Sequence, residues 1–248
     1  FPFGNVAGLM SGTTIGNPNL KPEKTTSFEV GAELGFLKNR LSIDVSYYAN
    51  NSKNQILSIP IPNSTGYSFS VVNAGEIQNK GIELSLRGTP IRTSTGLTVE
   101  LFATYTKNKS EVVDLLPGIE QVTIGGYSGM SIVAAKGRPY GMFYAVTNAT
   151  DAEGRTIVDP ETGIPLPSSA AEYLGSYNPK YQASLGGNVR FKNLSLNFLF
   201  DTKHGGVFYS RTRDILGFTG TSAETGGERI GVIYPNSVYL DENGNSVV

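Results

Sequence analysis

The chain of 248 residues contains no cysteine, no tryptophan and a single histidine, His204. Without cysteine there is no disulfide scaffold and no thiolate metal site. One histidine excludes a multi-histidine zinc centre, and no cofactor is expected. Charge is nearly balanced, 20 basic against 21 acidic residues. That leaves no basic surplus to neutralise phosphates, so nucleic acid is excluded as a partner. No apolar run approaches the length a membrane-spanning helix needs. Helical periodicity of useful length is missing, as are solenoid or propeller repeats. Hydrophobic content of 39% and a mean hydropathy of -0.14 are low for a buried core of this size. They are ordinary where only every second strand residue must be apolar. Phe1-Pro2-Phe3-Gly4-Asn5 lacks the basic start and apolar core of a signal peptide. Asp241 to Asn245 reads as a turn with a further segment opening behind it, so the chain reads as an excerpt of something longer.

What is present is glycine (30), tyrosine (13) and phenylalanine (12), set in a strict alternation. Phe28, Val30, Ala32, Leu34 and Phe36 fall on one face of a strand, against Ser27, Glu29, Gly31, Glu33 and Gly35. After Leu37–Arg40 the pattern restarts, with Leu41, Ile43, Val45, Tyr47 and Ala49 against Ser42, Asp44, Ser46, Tyr48 and Asn50. A third strand over Gln78–Gly88 places Ile82, Leu84 and Leu86 opposite Glu83, Ser85 and Arg87. A fourth places Leu97, Val99, Leu101, Ala103 and Tyr105 opposite Thr98, Glu100, Phe102, Thr104 and Thr106. In a fifth, Tyr181, Ala183, Leu185 and Val189 alternate with Gln182, Ser184, Gly186, Asn188 and Arg190. In a sixth, Leu194, Leu196, Phe198 and Phe200 face away from Ser195, Asn197, Leu199 and Asp201. Phe102 and Leu199 break the polar rule of their face.

Connections alternate between short (Leu37–Arg40, Gly88–Gly96, Phe191–Asn193) and long (Asn51–Glu76, Lys107–Pro139, and everything after Lys203). Outer-membrane barrels pair short periplasmic turns with long extracellular loops, so the pattern predicts an all-β, antiparallel transmembrane barrel wall. About nine residues per strand, at ~3.3 Å each and tilted ~40°, span roughly 23 Å, the height of the apolar band of such a wall. Strand direction then requires an even number of strands in Asn108–Lys180, with Tyr140–Thr150 a candidate for one, making six strands or eight. Phe28, Val30, Leu34, Leu41, Ile43, Val45, Leu84, Leu101 and Phe198 are expected to face lipid. Glu29, Glu33, Asp44, Glu83, Arg87, Glu100 and Arg190 are expected to face the lumen. An arginine replacing one of the lipid-facing residues, Val30 for example, is expected to cost about 2–4 kcal/mol near mid-membrane. The alternative is a soluble carbohydrate-binding surface β-sandwich, in which the apolar rows would meet in a dry core.

Five segments carry a resemblance: Gly16–Gly31 (GNPNLKPEKTTSFEVG), Asn73–Glu83 (NAGEIQNKGIE), Gly137–Tyr144 (GRPYGMFY), Leu174–Lys180 (LGSYNPK), and Lys203–Ser210 (KHGGVFYS) followed by Arg229. In this order the chain resembles the C-terminal half of the barrel of SusC/RagA-type TonB-dependent outer-membrane transporters of Bacteroidetes. The resemblance implies a 22-stranded parent barrel, of which residues 1–248 are one portion, with signal peptide, plug and final strands elsewhere. It implies location in the outer membrane of a Gram-negative bacterium and import of oligosaccharides or peptides. The implied partners are outer-membrane lipid, the rest of the barrel and plug, a SusD-like lipoprotein lid, and TonB through the parent chain. Transport would belong to the parent, since an open sheet edge in lipid leaves backbone groups unpaired.

Enzyme chemistry has little support. The inward carboxylates could form an acid/base cluster, but barrel interiors are polar by default. Asp201-Thr202-Lys203-His204 with Ser210 could suggest a catalytic set, yet no nucleophile elbow accompanies it. Arg211, Arg213 and Arg229 could bind an anionic group or pair with nearby carboxylates. Asn148–Gly154 and Asp241–Asn245 are faintly like calcium loops, but Asp/Asn–Gly turn chemistry explains them more simply. Gly125–Gly129 reads as a flexible loop that cannot cradle phosphate. Tyr67, Phe69 and Tyr127 fall in long connections, where rings could stack on a sugar, a neighbouring loop or a lid.

Overall fold

A computed structural model describes residues 2–3, 6–7, 12–127, 129–227 and 234–247. Its main body is a six-stranded antiparallel sheet. The strands are β1 (Lys24–Phe36), β2 (Leu41–Lys53), β3 (Glu76–Arg92), β4 (Leu97–Asp114), β5 (Tyr181–Phe191) and β6 (Leu194–His204). Among these six, each neighbour in space is the next in sequence. The alternating pattern fixes the register, because a slip of one residue would exchange the two faces.

Register rows confirm one continuous apolar face. Ala32 lies opposite Val45, Val45 opposite Leu84, Leu84 opposite Tyr105, and Tyr105 opposite Ala183. The next row is Leu34, Ile43, Leu86, Ala103, Leu185 and Phe200. These side chains stay open to the surroundings, Val30 by 56% and Phe200 by 68%. No second sheet covers them among the described residues, so the sandwich alternative loses the dry core it requires. The two clusters of buried apolar residues among the described residues lie elsewhere, in the long connections and, through Val112, at the far end of β4 on its other face.

All six wall strands expected from the pattern are present, and several run further. β3 does not end at Gly88. It continues through Pro90 to Arg92, with an irregularity in register between Gly88 and Ile91. A bulge is where a strand tolerates proline, since the missing N–H has no ladder partner there. The Arg40 guanidinium donates to the carbonyls of Thr89 (3.2 and 3.0 Å) and Pro90 (3.1 Å), and the Thr89 amide donates to the Arg40 carbonyl at 2.8 Å. The short turn from β1 to β2 is thereby tied to the bulge. Arg40→Ala is expected to lower stability by about 1–2 kcal/mol, read as a shift in the unfolding midpoint in lipid-like detergent.

Among the described residues, no strand between β4 and β5 joins the wall. β4 pairs directly with β5, from Leu97 opposite Phe191 to Thr106 opposite Gln182. Among the described residues the even number of wall strands there is zero, and the total is six, not eight. The segment instead builds a separate antiparallel sheet of Gln121–Tyr127, Met130–Ala135, Met142–Ala145 and Glu172–Ser176. Tyr140–Thr150 does contain a strand, but at four residues it is far too short to cross a bilayer, which takes about 9–11. Gly125–Gly126–Tyr127 is strand rather than flexible loop, with a register shift between Thr123 and Gly125. The first long connection forms a hairpin, Ile56–Pro60 with Phe69–Asn73, flanked by Thr14–Ile15. Thr156–Ile157 runs parallel to Ser237–Leu240, which pairs with Ser246–Val247. A helix, α1 (Arg211–Phe218), follows β6.

Candidate functional site

The polar face of the wall is built from the strand positions that alternate with the apolar rows. Glu29 lies opposite Tyr48, Glu33 opposite Asp44, Ser46 opposite Glu83, and Glu100 opposite Asn188. Arg87 lies opposite Phe102, and Arg190 opposite Thr98. The lumen-facing set expected from the alternation therefore shares one face, and the lipid-facing set shares the other.

Two glycines on the polar face have aromatic rings laid over them. A Cβ on Gly81 would come within 2.4 Å of the Tyr48 ring, and one on Gly186 within 2.3 Å of the Phe102 ring. Phe102, which seemed out of place among polar neighbours, covers a glycine of the next strand, an arrangement that restores the contacts a bare backbone lacks. The Tyr48 hydroxyl donates to Asn108 Oδ1 at 3.2 Å, and Asn108 Nδ2 donates to Asn79 Oδ1 at 3.2 Å. Around them lies an open groove of about 530 Å³ that includes Glu29, Asn50, Asn79, Glu83 and Asn108. A second recess of about 350 Å³ adjoins it, between Asn79, Asn108 and Ser110 of the wall and Tyr140, Tyr177 and Asn178 of the long connection. The lining is rich in neutral amides and phenols, groups that donate and accept hydrogen bonds without fixed charge.

At the end of the wall away from the short turns, the long connections fold over this polar face. Val112 of β4, on the polar side, is fully buried with Leu115, Val122 and Ala134, and Leu57 and Ile59 of the first hairpin pack against them. Polar latches fix this rim. The Lys21 amide donates to Asn73 Oδ1 at 2.7 Å, and Asn73 Nδ2 donates to the carbonyls of Lys21 (2.8 Å) and Asn54 (2.9 Å). Glu23 accepts from the Ile56 amide at 2.7 Å. Asn178 Nδ2 donates to the Tyr140 carbonyl at 2.9 Å, and the Tyr177 amide to that of Gly141 at 3.1 Å. The Val207 amide donates to the Ser176 carbonyl at 2.9 Å.

The family profile described as TonB dependent receptor-like, beta-barrel matches residues 2–245. The chain belongs to this family. Among curated relatives, TonB-dependent receptor P3 of Formosa agariphila is 23% identical over 81% of this chain and 22% of its own length. TonB-dependent receptor SusC of Bacteroides thetaiotaomicron is 32% identical over 48% of this chain and 12% of its own length. Among solved structures, the RagAB peptide transporter superposes with a TM-score of 0.64 at 25% identity, covering 81% of this chain and 23% of that one. The chain thus spans about a fifth of the length of the first of these relatives.

Seen as part of a TonB-dependent receptor barrel, the five recognised segments have a structural common ground that spacing alone did not disclose. Asn73, Lys21 and Glu23 belong to the first two, and the last three meet at the latches of Tyr140, Gly141, Ser176–Asn178 and Val207. Arg138 of GRPYGMFY lies over the Tyr173 ring, 3.8 Å from its centre. Arg229 lies outside the described residues. Of the loop aromatics, Tyr67 follows the turn of the first hairpin. Phe69 is the first residue of a strand, opposite Pro60 and beside Thr14, and so is part of the rim framework. Tyr127 ends a strand, is 60% exposed and stacks on Tyr209 with ring centres 5.9 Å apart.

The geometry also disposes of the catalytic arrangement. Asp201 lies on the polar face opposite Ser184, whereas His204 lies on the other face and stacks on Tyr181 at 4.9 Å. Ser210 caps α1, accepting from the Arg213 amide at 3.3 Å. Arg211 pairs with Asp214. The calcium-like loops are turns whose carboxylates bind their own backbone: Asp241 Oδ1 accepts from Asn243 (2.9 Å) and Asn245 (2.7 Å). Asp151 Oδ1 accepts from Glu153 (3.1 Å) and Arg155 (2.8 Å), and its second oxygen binds the Arg155 guanidinium. No group of side chains that could hold a metal occurs among the described residues.

Burial pushes the Asp151 carboxyl up, but bonds from the Arg155 amide and guanidinium and from Ser246 outweigh it and bring its pKa to about 2. An unfolded aspartate titrates near 4, so this stabilisation is complete above about pH 4 and is lost as pH falls toward 2. Pepsin cleavage within 148–167 is expected to rise steeply across that interval, and in Asp151→Asn to be high already at its upper end.

Proposed function

We propose that this chain forms part of the wall and the extracellular rim of an outer-membrane nutrient importer, with the apolar face in lipid and the polar face lining the transport path. The observation that carries the reading is the in-register division of six strands into one apolar and one polar face, with the long connections folded over the polar face at the end away from the short turns. In this reading the short turns are periplasmic, the rim is extracellular, and the function is passage rather than chemistry. Glu33 and Asp44 stand directly opposite each other with no ion pair among the described residues. Such like-charge pairs disfavour the sheet unless a cation approaches, and the plug of the parent chain supplies it.

The substrate is an oligosaccharide or a peptide. Both present neutral donors and acceptors that suit the amide and phenol lining around Asn79, Asn108, Tyr140, Tyr177 and Asn178. Phe208 and Phe218, exposed by 85% and 91%, follow β6 at the rim and offer apolar contacts to a SusD-like lipoprotein lid. TonB acts through the parent chain.

This stretch has no cysteine of its own, so single cysteines can be introduced into it within a full-length receptor whose other cysteines, where present, are replaced, and the labelled receptor studied in liposomes. Labels at Val30, Val45 and Phe198 are expected to be quenched by a lipid-soluble reagent. Labels at Glu33, Glu83 and Glu100 are expected to be quenched by a water-soluble one. The reverse pattern, or equal quenching, overturns the reading. Uptake of labelled oligosaccharides against labelled peptides by cells carrying the receptor distinguishes the two substrate classes.

A further inference from the structure

We propose that the outward face of the wall carries, just above its apolar band, a binding surface for the phosphate-bearing head group of an outer-leaflet lipid, centred on Lys80, Lys107 and Lys109. The proposal rests on the reading of the apolar face as a lipid face.

The register places these lysines without ambiguity. Lys80 lies directly opposite Lys109, and Lys107 opposite Ile82. Ile82 belongs to the apolar row of Val30 and Tyr47, so all three ammonium groups point to the same side as the lipid-facing residues. All three residues are exposed. Directly opposed residues have Cβ atoms about 4.5–5.5 Å apart, and Lys107 and Lys109 are separated by about 7 Å along β4. Like charges this close destabilise a sheet unless an anion joins them. Protein carboxylates do so only in part: Lys109 Nζ is 3.1 Å from Glu111, while Lys80 and Lys107 form no ion pair among the described residues. The carboxylates that could have answered them, Glu29 and Glu83, lie on the opposite face.

The depth of the cluster is the second consideration. The outward row below it holds Tyr105, whose ring is 5.5 Å from that of Tyr181, and Tyr181, beside Lys107 in level, stacks on His204 opposite it at 4.9 Å. Aromatic residues gather at the boundary between the apolar band and the aqueous region of a barrel. Lys107 is level with the upper edge of that belt and Lys80 and Lys109 lie one step beyond it, at head-group level, where lysines attract anionic lipid. Acyl chains against Ile82 and Leu84 would hold a lipid whose phosphate reaches the lysines, so one molecule can satisfy both surfaces.

The test uses the purified full-length receptor, titrated in neutral detergent with monophosphorylated lipid A, with the same lipid lacking phosphate, and with inorganic phosphate. Native mass spectrometry and thermal shift report binding. The expected result is retention of the phosphorylated lipid, weakened by salt, and roughly tenfold or more weaker binding in Lys80→Gln/Lys107→Gln/Lys109→Gln. The corresponding triple arginine variant should bind as the parent does and so controls for folding. Equal binding of the dephosphorylated lipid, or unchanged binding by the glutamine variant, overturns the proposal. An equal response to inorganic phosphate overturns the lipid assignment in favour of a free-anion site. If the cysteine labels at Val45 and Phe198 fail to report lipid, the wall reading itself has failed. If they report lipid while the lysines are silent, only the present proposal falls.

Discussion

Val45→Arg is expected to destabilise the receptor in a bilayer by about 2–4 kcal/mol. Val45 sits in the middle of the outward residues of β2, between Ala32 of β1 and Leu84 of β3, and the apolar band continues in both directions along the strand. An arginine there has no nearby water, and the adjoining rows provide no carboxylate. It can lower its cost only by stretching toward a head group or by thinning the bilayer. Ser46→Arg, one residue along but on the polar face beside Glu83, is expected to change stability by less than about 0.5 kcal/mol. The comparison controls for β-propensity, since both changes put the same side chain into the same strand. Reversible unfolding by guanidinium in liposomes reads both. Equal effects at the two positions would mean that the faces are not distinguished by their solvent, and the lipid assignment would fail.

The wall was legible because a membrane strand repeats its apolar residues with a period of two, as Phe28–Phe36 and Leu41–Ala49 do, and because short and long connections take turns between such strands. The signal fades where the strands leave the apolar band. At Lys107-Asn108-Lys109-Ser110 both faces are polar, and the continuation of β4 to Asp114 rests on ladder pairing with β3 rather than on any pattern. Pro90 reads as a stop in sequence, but Arg40, 50 residues away, satisfies its carbonyl at a bulge. The long connection after β4 hid its sheet for a different reason. Short strands covered on both sides, such as Met130–Ala135 with Val133, Ala134 and Ala135 all buried, lose the alternation that identifies a half-exposed strand. The polar groove around Asn108 was likewise out of reach, since no motif links Tyr48, Asn79 and Asn108. Only the register brings them together.

Gly141→Ala is expected to be a strongly damaging small change at the rim, at about 2 kcal/mol or more. Gly141 has φ of +84°, a left-handed conformation that costs an L-residue about 1–2 kcal/mol. Its missing side chain is also filled space: a Cβ there would lie 2.0 Å from the Tyr177 ring. Accommodating it requires the ring to move, an overpacking cost of typically 1–3 kcal/mol. Tyr177 cannot move freely, because its amide is bound to the Gly141 carbonyl and Asn178 next to it is bound to the Tyr140 carbonyl. The two costs can be separated. In Gly141→Ala/Tyr177→Ala the steric part disappears and only the conformational part remains, so the double variant should be less impaired than the sum of the single changes. Thermal unfolding of the three variants measures this coupling. Because the same junction anchors β5 and the segment after β6, Gly141→Ala should also raise proteolysis at residues 205–209 while leaving the wall strands protected. An additive double variant would show that Tyr177 and Gly141 do not share the contact, and that the rim is held by the backbone latches alone.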